Sequence, residues 1–331
     1  MGGGGRLAAE LIEEVFLAGY GNEFLDRLDD AAEVRIGPAR LAFTTDAFTV
    51  KPLFFPGGDI GRLAVCGTSN DLSVKGARPR HLSAAFIIEE GFPLDELRRI
   101  VGPMRTSASE AGVEIVAGDT KVVRRGEADG IFIVTAGVGE PIEGMDISCR
   151  AARPGDAIIV SGAVGCHGAS VLNAREGLGF TPAIVSDVAP VRGIVEALEP
   201  EAAAVHAMRD PTRGGLASAL NEIAAASGVS VRIFEDRVPV APGVRACCGL
   251  LGLDPLYMAC EGRALILADP ARAGEILRLV EGTPGGRDAA LIGEVTGRRT
   301  EPGLPPVAVE TGIGTRRFLP LLDGEPIPRI C

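Results

Sequence analysis

A two-domain α/β fold is what this sequence predicts, and three observations carry the prediction. The chain has 331 residues, 46% of them hydrophobic, which is enough to build two cores of ordinary size. Short β-branched runs alternate with longer stretches whose apolar residues recur three and four positions apart, the strand and helix periods respectively. A break of polar and turn-forming residues, Arg150-Ala-Ala-Arg-Pro-Gly-Asp156, separates two such series. The expected domains are 1–148 and 149–319, followed by a tail of different character, 320–331.

Each element has its own local reason. After four glycines with no structure of their own, Leu7, Leu11, Ile12 and Val15 fall at helical spacing and predict a helix over 7–16. Residues 34–46 read as a hairpin whose second strand ends on Asp46, and 81–90, 113–117 and 130–138 are further apolar, β-branched strands. Helices are expected over 60–74 and from Leu94 to Ala108, the latter with a clean core stripe through Leu97, Ile100, Val101 and Met104. The second half opens with the strand Ala157-Ile-Ile-Val and a glycine-rich turn. Helices near 188–198, 216–226 and 273–280 then alternate with strands near 229–234, 264–267 and 291–295.

Composition excludes several classes of function. A net charge of −11 and a pI near 5.0 leave no basic face for nucleic acid or anionic lipid. The glycine start lacks the apolar core of a signal peptide, and no run of about 18 apolar residues occurs, so a cytoplasmic protein without a membrane span is expected. Seven cysteines with no CxxC pair suggest neither a disulfide framework nor a zinc ribbon, and three histidines without ligand spacing give little support to a transition metal. Cys66, Cys149, Cys166 and Cys260 sit among apolar or small residues and read as buried thiols; Cys247-Cys248 is not expected to pair in a reducing compartment.

Cys331 ends Pro320-Leu-Leu-Asp-Gly-Glu-Pro-Ile-Pro-Arg-Ile-Cys331, whose three prolines and glycine forbid a helix and favour an extended arm. Twelve extended residues span roughly 40 Å, so the arm can carry a thiol to a distant pocket.

Polar chemistry gathers in five loops: Thr44-Thr45-Asp46, Gly57-Gly58-Asp59, Asn70-Asp71, Gly118-Asp119-Thr120-Lys121 and Asp210-Pro-Thr-Arg213-Gly214-Gly215. Asp beside Gly is also the commonest turn chemistry. Five such loops together suit a magnesium–polyphosphate site, because Mg²⁺ is usually shared between one or two carboxylates and the phosphates. Lys121 is placed to offset phosphate charge, and Gly214-Gly215 before an apolar helix would let a phosphate approach backbone N–H groups. No P-loop sequence exists, and Ser161-Gly-Ala-Val-Gly-Cys-His-Gly168 lacks the dinucleotide glycine spacing.

Several longer segments identify a family. They are Phe43-Thr-Thr-Asp-Ala-Phe48, the run from Pro52 to Ala77, Val116-Ala-Gly-Asp-Thr-Lys-Val-Val123, Met208-Arg-Asp-Pro-Thr-Arg-Gly-Gly-Leu-Ala-Ser218, Asp254-Pro-Leu-Tyr-Met-Ala-Cys-Glu-Gly-Arg263 and Pro328-Arg-Ile-Cys331. Across nearly its whole length the chain resembles the HypE family of hydrogenase maturation proteins, in the PurM-like superfamily that also holds AIR synthetase and selenophosphate synthetase. Members usually carry a few more residues before the glycine run, so a shorter start and an incomplete loop over the nucleotide are expected here.

The resemblance implies a PurM-like fold in which the N-terminal mixed sheets of two subunits pair, with ATP in a cleft near that interface and a C-terminal α/β domain. It implies that the thiol of Cys331 receives a carbamoyl group from the carbamoyltransferase HypF. ATP-dependent dehydration to a thiocyanate follows, and the cyano group passes to iron on a HypC–HypD scaffold as a ligand of the [NiFe]-hydrogenase centre. The chemistry needs a way to turn a poor leaving group, an amide oxygen, into phosphate, and a base for the N–H protons. Glu261, in apolar surroundings after Met258-Ala-Cys260, is one candidate base, and His206 is the other. Asp46, Asp59, Asp71 and Asp210 are expected to hold magnesium and nucleotide with Asn70, Asp119, Thr120, Arg213 and Gly214 nearby; which acids touch metal stays open. Two rivals also stay open: another PurM-like ATP enzyme (selenophosphate, AIR synthetase or thiamine phosphate kinase type), and a non-catalytic thiol carrier or scaffold. The selenophosphate reading would want a reactive Cys or selenocysteine near the N-terminal glycines, and residues 1–30 contain none.

Overall fold

The computed structural model describes residues 5–299 and 303–322. Cys331, with all of the 320–331 arm beyond Leu322, lies outside the described residues.

The chain starts with helical residues: α1 (Arg6–Leu11), a wider π-helical stretch over Ile12–Leu17, and α2 (Ala18–Tyr20). β1 (Ala32–Ile36) and β2 (Ala39–Phe48) form the expected hairpin, its second strand running two residues past Asp46. A small ribbon, β3 (Phe54–Phe55) with β4 (Gly58–Asp59), leads into α3 (Ile60–Val74). Then come β5 (Ala77–Glu89), α4 (Leu94–Ala111), β6 (Glu114–Val123) and β7 (Ile131–Pro141). Helix α3 begins where it does because Asp59, in extended conformation, accepts hydrogen bonds from the amides of Gly61 and Arg62. Helix α4 stops at Gly112, which adopts the left-handed conformation that suits glycine.

The N-terminal sheet has the order β1-β2-β7-β5-β6, antiparallel except for the parallel β5–β6 pair. Leu82, Ala84, Ile131 and Ile133 pack with Leu63 and Ile100 of the covering helices α3 and α4. Edge strand β6 is exposed along nearly its whole length, Ile115, Val116 and Val122 included, and Phe43 of β2 is exposed as well. Gly118–Lys121, expected as a turn, continues β6 in register beside β5. Four residues with alternating neighbours on β5 carry no turn geometry; the glycine and aspartate imitated a loop.

The second half contributes β8 (Ala157–Val160), α5 (Cys166–Glu176), α6 (Arg192–Ala197), β9 (Val205–Arg209) and α7 (Gly215–Ser227). They are followed by β10 (Val229–Phe234), α8 (Pro242–Leu251), β11 (Leu265–Ala268), α9 (Ala273–Glu281), β12 (Ala290–Arg298), β13 (Val307–Glu310) and β14 (Arg316–Phe318). Its sheet runs β14-β13-β10-β12-β8-β11-β9, mostly antiparallel. Ile158 and Val160 of β8 face a layer built on Leu216, Leu220 and Ile223 of α7, while Ile159 faces Val195, Ile276 and Val280 of α6 and α9. Burial on both faces is why this strand reads as an unbroken apolar run. α5 and α8 turn the other way: Ala169, Leu172, Val244 and Cys248 join the core of the first half.

Asn70, in the middle of α3, ties the halves together. Its amide nitrogen donates to the carbonyls of Ala189 and Glu261, both at 3.1 Å, and its oxygen accepts from the amide of Val191 at 2.8 Å.

Candidate active site

Five carboxylates that lie far apart in sequence converge where α3, β2 and the end of β9 meet. Asp71 sits on α3, Asp210 directly after β9, and Asp30 in the loop before β1; a ligand oxygen from each lies within 4.8 Å of the others. Asp46 of β2 and Glu261, in the loop before β11, complete the group: the Asp46 charge acts on Asp71, Asp210 and Glu261, and that of Asp210 acts on Glu261. Asp30, Asp46 and Asp71 are half-buried, whereas Asp210 and Glu261 lie beneath them at 5% and 3% exposure. Local chemistry holds each one in place. Thr44 donates its hydroxyl to Asp71 at 2.9 Å. Asp29, beside Asp30, accepts from the Cys149 amide at 2.8 Å and from Lys75 at 2.7 Å, which fixes the loop that presents Asp30. Arg209 reaches Asp30 at 3.2 Å and Glu222 at 2.9 Å.

Crowding sets the electrostatics. Loss of hydration, more than any other cause, raises the Asp71, Asp210 and Glu261 carboxyls well above the usual carboxylate range, and mutual repulsion adds to it. Asp30 is pushed up to about 6 by burial, against the pull of Arg209. Asp46 is raised by burial and partly relieved by the Ala47 amide and by Arg213. A set of carboxylate oxygens this close, with arginines only at its margins, is the donor set of a hard divalent cation that prefers oxygen, and Mg²⁺ fits it.

The sequence singles out Asp46, Asp71, Asp210, Glu261 and Arg213, and the structure brings them together. Others go elsewhere. Asp59 spends its carboxylate capping α3, and its nearest charges are Arg62 and Arg99. Asn70 faces away from ligand space, its amide taken up by backbone groups. Asp119, Thr120 and Lys121 are exposed on β6. His206 is buried in β9, its Nδ1 bonded to both carboxylate oxygens of Asp156 at 2.9 and 3.0 Å, an anchor for the start of β8. Gly214 forms the left-handed N-cap of α7, next to exposed Arg213. Asp30 and Arg209 are missing from the sequence reading. The one signal for Asp30 is the doubled acid Asp29-Asp30 directly before a strand, with no glycine beside it.

In the glycine-rich turn at 161–168 most amides are already bonded within the protein: Val164 to the Pro239 carbonyl, Gly165 to Cys260 Sγ, His167 to Asp187, and Gly168 to the Ala259 carbonyl. Burial pushes the thiols of Cys66, Cys149 and Cys248 up to about 12, so they are unreactive packing groups.

Comparison with known proteins places this geometry. The model for the N-terminal domain of AIR synthase related proteins matches residues 28–140, and that for the C-terminal domain matches 153–302. Carbamoyl dehydratase HypE of Azotobacter vinelandii is 48% identical over 330 residues, 100% of this chain and 96% of the relative. A crystal structure of a HypE–HypF complex superposes with a TM-score of 0.89 at 46% identity, over 94% of this chain and 99% of the other. A crystal structure of HypE in complex with ATP gives 0.83 at 47% identity, over 100% and 98%. Thiamine monophosphate kinase of Aquifex aeolicus, 18% identical with a TM-score of 0.67, shares the fold.

Proposed function

The chain belongs to the HypE family of AIR synthase related proteins, and from that premise we propose that it is an ATP-dependent carbamoyl dehydratase. Its substrate is the S-carboxamide of its own Cys331, and its product is the thiocyanate that supplies cyanide to the iron of a [NiFe]-hydrogenase centre. The observation that carries the reading is the group of Asp30, Asp46, Asp71 and Asp210 with Glu261 beneath it. Four clustered acids want a cation–phosphate ligand, and the fifth is a buried carboxylate whose hold on a proton is strengthened by lost hydration.

In the proposed reaction the carboxamide oxygen attacks the terminal phosphorus of ATP, the bond to ADP breaks, and an N–H proton leaves. The O-phosphorylated intermediate then expels phosphate as the second N–H proton leaves and the C≡N bond forms. Thiocarbamate and ATP thus become thiocyanate, ADP, phosphate and one proton. Asp30, Asp71 and Asp210 would hold Mg²⁺, which when bound supplies charge neutralisation for the phosphates. Arg213 faces Asp46 and Glu261 and orients the phosphates; Glu261 takes the N–H proton. His206, spent on Asp156, supports β9 instead of moving protons.

HypF is the proposed donor of the carbamoyl group, as the related HypE–HypF complex suggests, and a HypC–HypD scaffold the acceptor of cyanide. A second copy is proposed to cover the exposed side of β6 and Phe43, which would bring Asp119, Thr120 and Lys121 to the nucleotide at the subunit boundary. The test is the intact mass of the C-terminal peptide after incubation with HypF and carbamoyl phosphate, then with and without Mg-ATP. A carbamoyl adduct on Cys331 that loses one water only with Mg-ATP is expected. An adduct that never loses water would reduce the protein to a carrier.

A further inference from the structure

Helix α7 begins within the site, and its first turn holds a polar group that the mechanism above does not use. Ser218 is 2% exposed, and its hydroxyl is buried without a hydrogen-bond partner. Such an orphan destabilises the fold if nothing ever meets it. The hydroxyl lies over the N-cap: a Cβ added to Gly214 would stand 2.0 Å from Ser218 Oγ. A side chain four residues into a helix points back toward its start, so the hydroxyl shares the space of the helix's unspent donors. Gly215 donates to Thr212 and Ser218 to Gly214, and neither bond involves the amides of Leu216 and Ala217. Gly214 and Gly215 both have positive φ, at 73° and 60°, and Gly215 is wedged against the carbonyls of Leu256 and Met258 in the loop that carries Glu261.

We propose that Ser218 and the first turn of α7 form the seat of a phosphoryl group, with the Ser218 hydroxyl donating to a phosphate oxygen. The two glycines let the Gly214 peptide move aside, so that hydroxyl and helix amides converge on one anion at the positive end of the helix dipole. Exposed Arg213 closes the seat on the solvent side. The assignment rests on the dehydratase reading for its role, since a reaction that passes through a phosphorylated amide needs to hold phosphate close to Glu261. Binding itself is testable without that reaction.

The probe is inorganic phosphate, titrated calorimetrically into the full-length protein with Mg-ADP present and no carbamoylated arm. Saturable binding is expected, about 10-fold weaker in Ser218→Ala, with unchanged Mg-ADP affinity and, because the orphaned hydroxyl is gone, a melting temperature of the phosphate-free protein no lower than before. In the unsubstituted protein, phosphate should slow hydrogen exchange at Leu216 and Ala217. Equal phosphate affinity in both proteins, or no protection of those amides, would overturn the proposal. Mg-ATP titrations identify the source: a parallel loss of ATP affinity means that the seat holds the terminal phosphate of the nucleotide, and an unchanged affinity means that it holds phosphate after transfer. Failure of the dehydratase reading would show separately, in the mass of the Cys331 peptide.

Discussion

Asp71 and Asp30 repel each other and Asp210 across less than 5 Å of ligand space, and each substitution there acts in two opposite directions. Asp71→Asn should lower Mg-dependent ATP affinity by at least about 10-fold, yet raise the melting temperature of the metal-free protein, because it removes a charge from a crowded pocket. Titration calorimetry and thermal melting on one preparation check both signs. Glu261→Gln keeps the shape and loses the proton acceptor; turnover of the carbamoylated arm should fall roughly 10²- to 10⁴-fold with ATP affinity little changed. Asp46, Asp71 and Asp210 were legible as acids beside turn or motif residues. Asp59 carried the same signature and proved to be a helix cap, because an Asp before an apolar helix serves either purpose and only the fold decides. Asp30 was illegible for the converse reason: what presents it is the grip of Lys75 and the Cys149 amide on Asp29, contacts 46 and 120 residues away.

At the scale of elements, periodicity found what it can find. Helix 60–74 and strand 229–234 match the observed elements end to end. β9 escaped because Val205-His-Ala-Met-Arg is short and mixes a buried histidine into its pattern, and α5 and α8 escaped because glycine and cysteine dilute their stripes. β6 is the element whose environment is unfinished. An exposed edge strand with Ile115, Val116 and Val122 in water invites pairing unless another surface covers it. Val122→Asp should therefore shift the protein toward monomer by light scattering while leaving its secondary structure intact. A protein that is monomeric before the substitution would remove the basis for the proposed dimer.

For the molecule as a whole, the buried acids set a pH dependence. Asp30 titrates near 6 when folded and near 3.8 when unfolded, so between those values the folded state binds the extra proton. Stability of the metal-free protein then falls as pH rises from about 4 through 6, and Asp71, Asp210 and Glu261, whose carboxyls burial also raises, add to the fall in the same direction. Melting curves at a series of pH values should show this decline, and Mg²⁺ with ATP should flatten it by replacing the lost protons.

The three hydrogen bonds of Asn70 have a mechanical meaning. Many enzymes with two lobes close over their substrate by swinging about a hinge, but here any swing would tear a buried amide from the carbonyls of Ala189 and Glu261 and from the Val191 N–H. It would also open the core that α5 and α8 share with α3 and α4. The lobes are welded, so the clustered carboxylates stay at fixed separation, and in the proposed reaction it is the substrate that has to come to them.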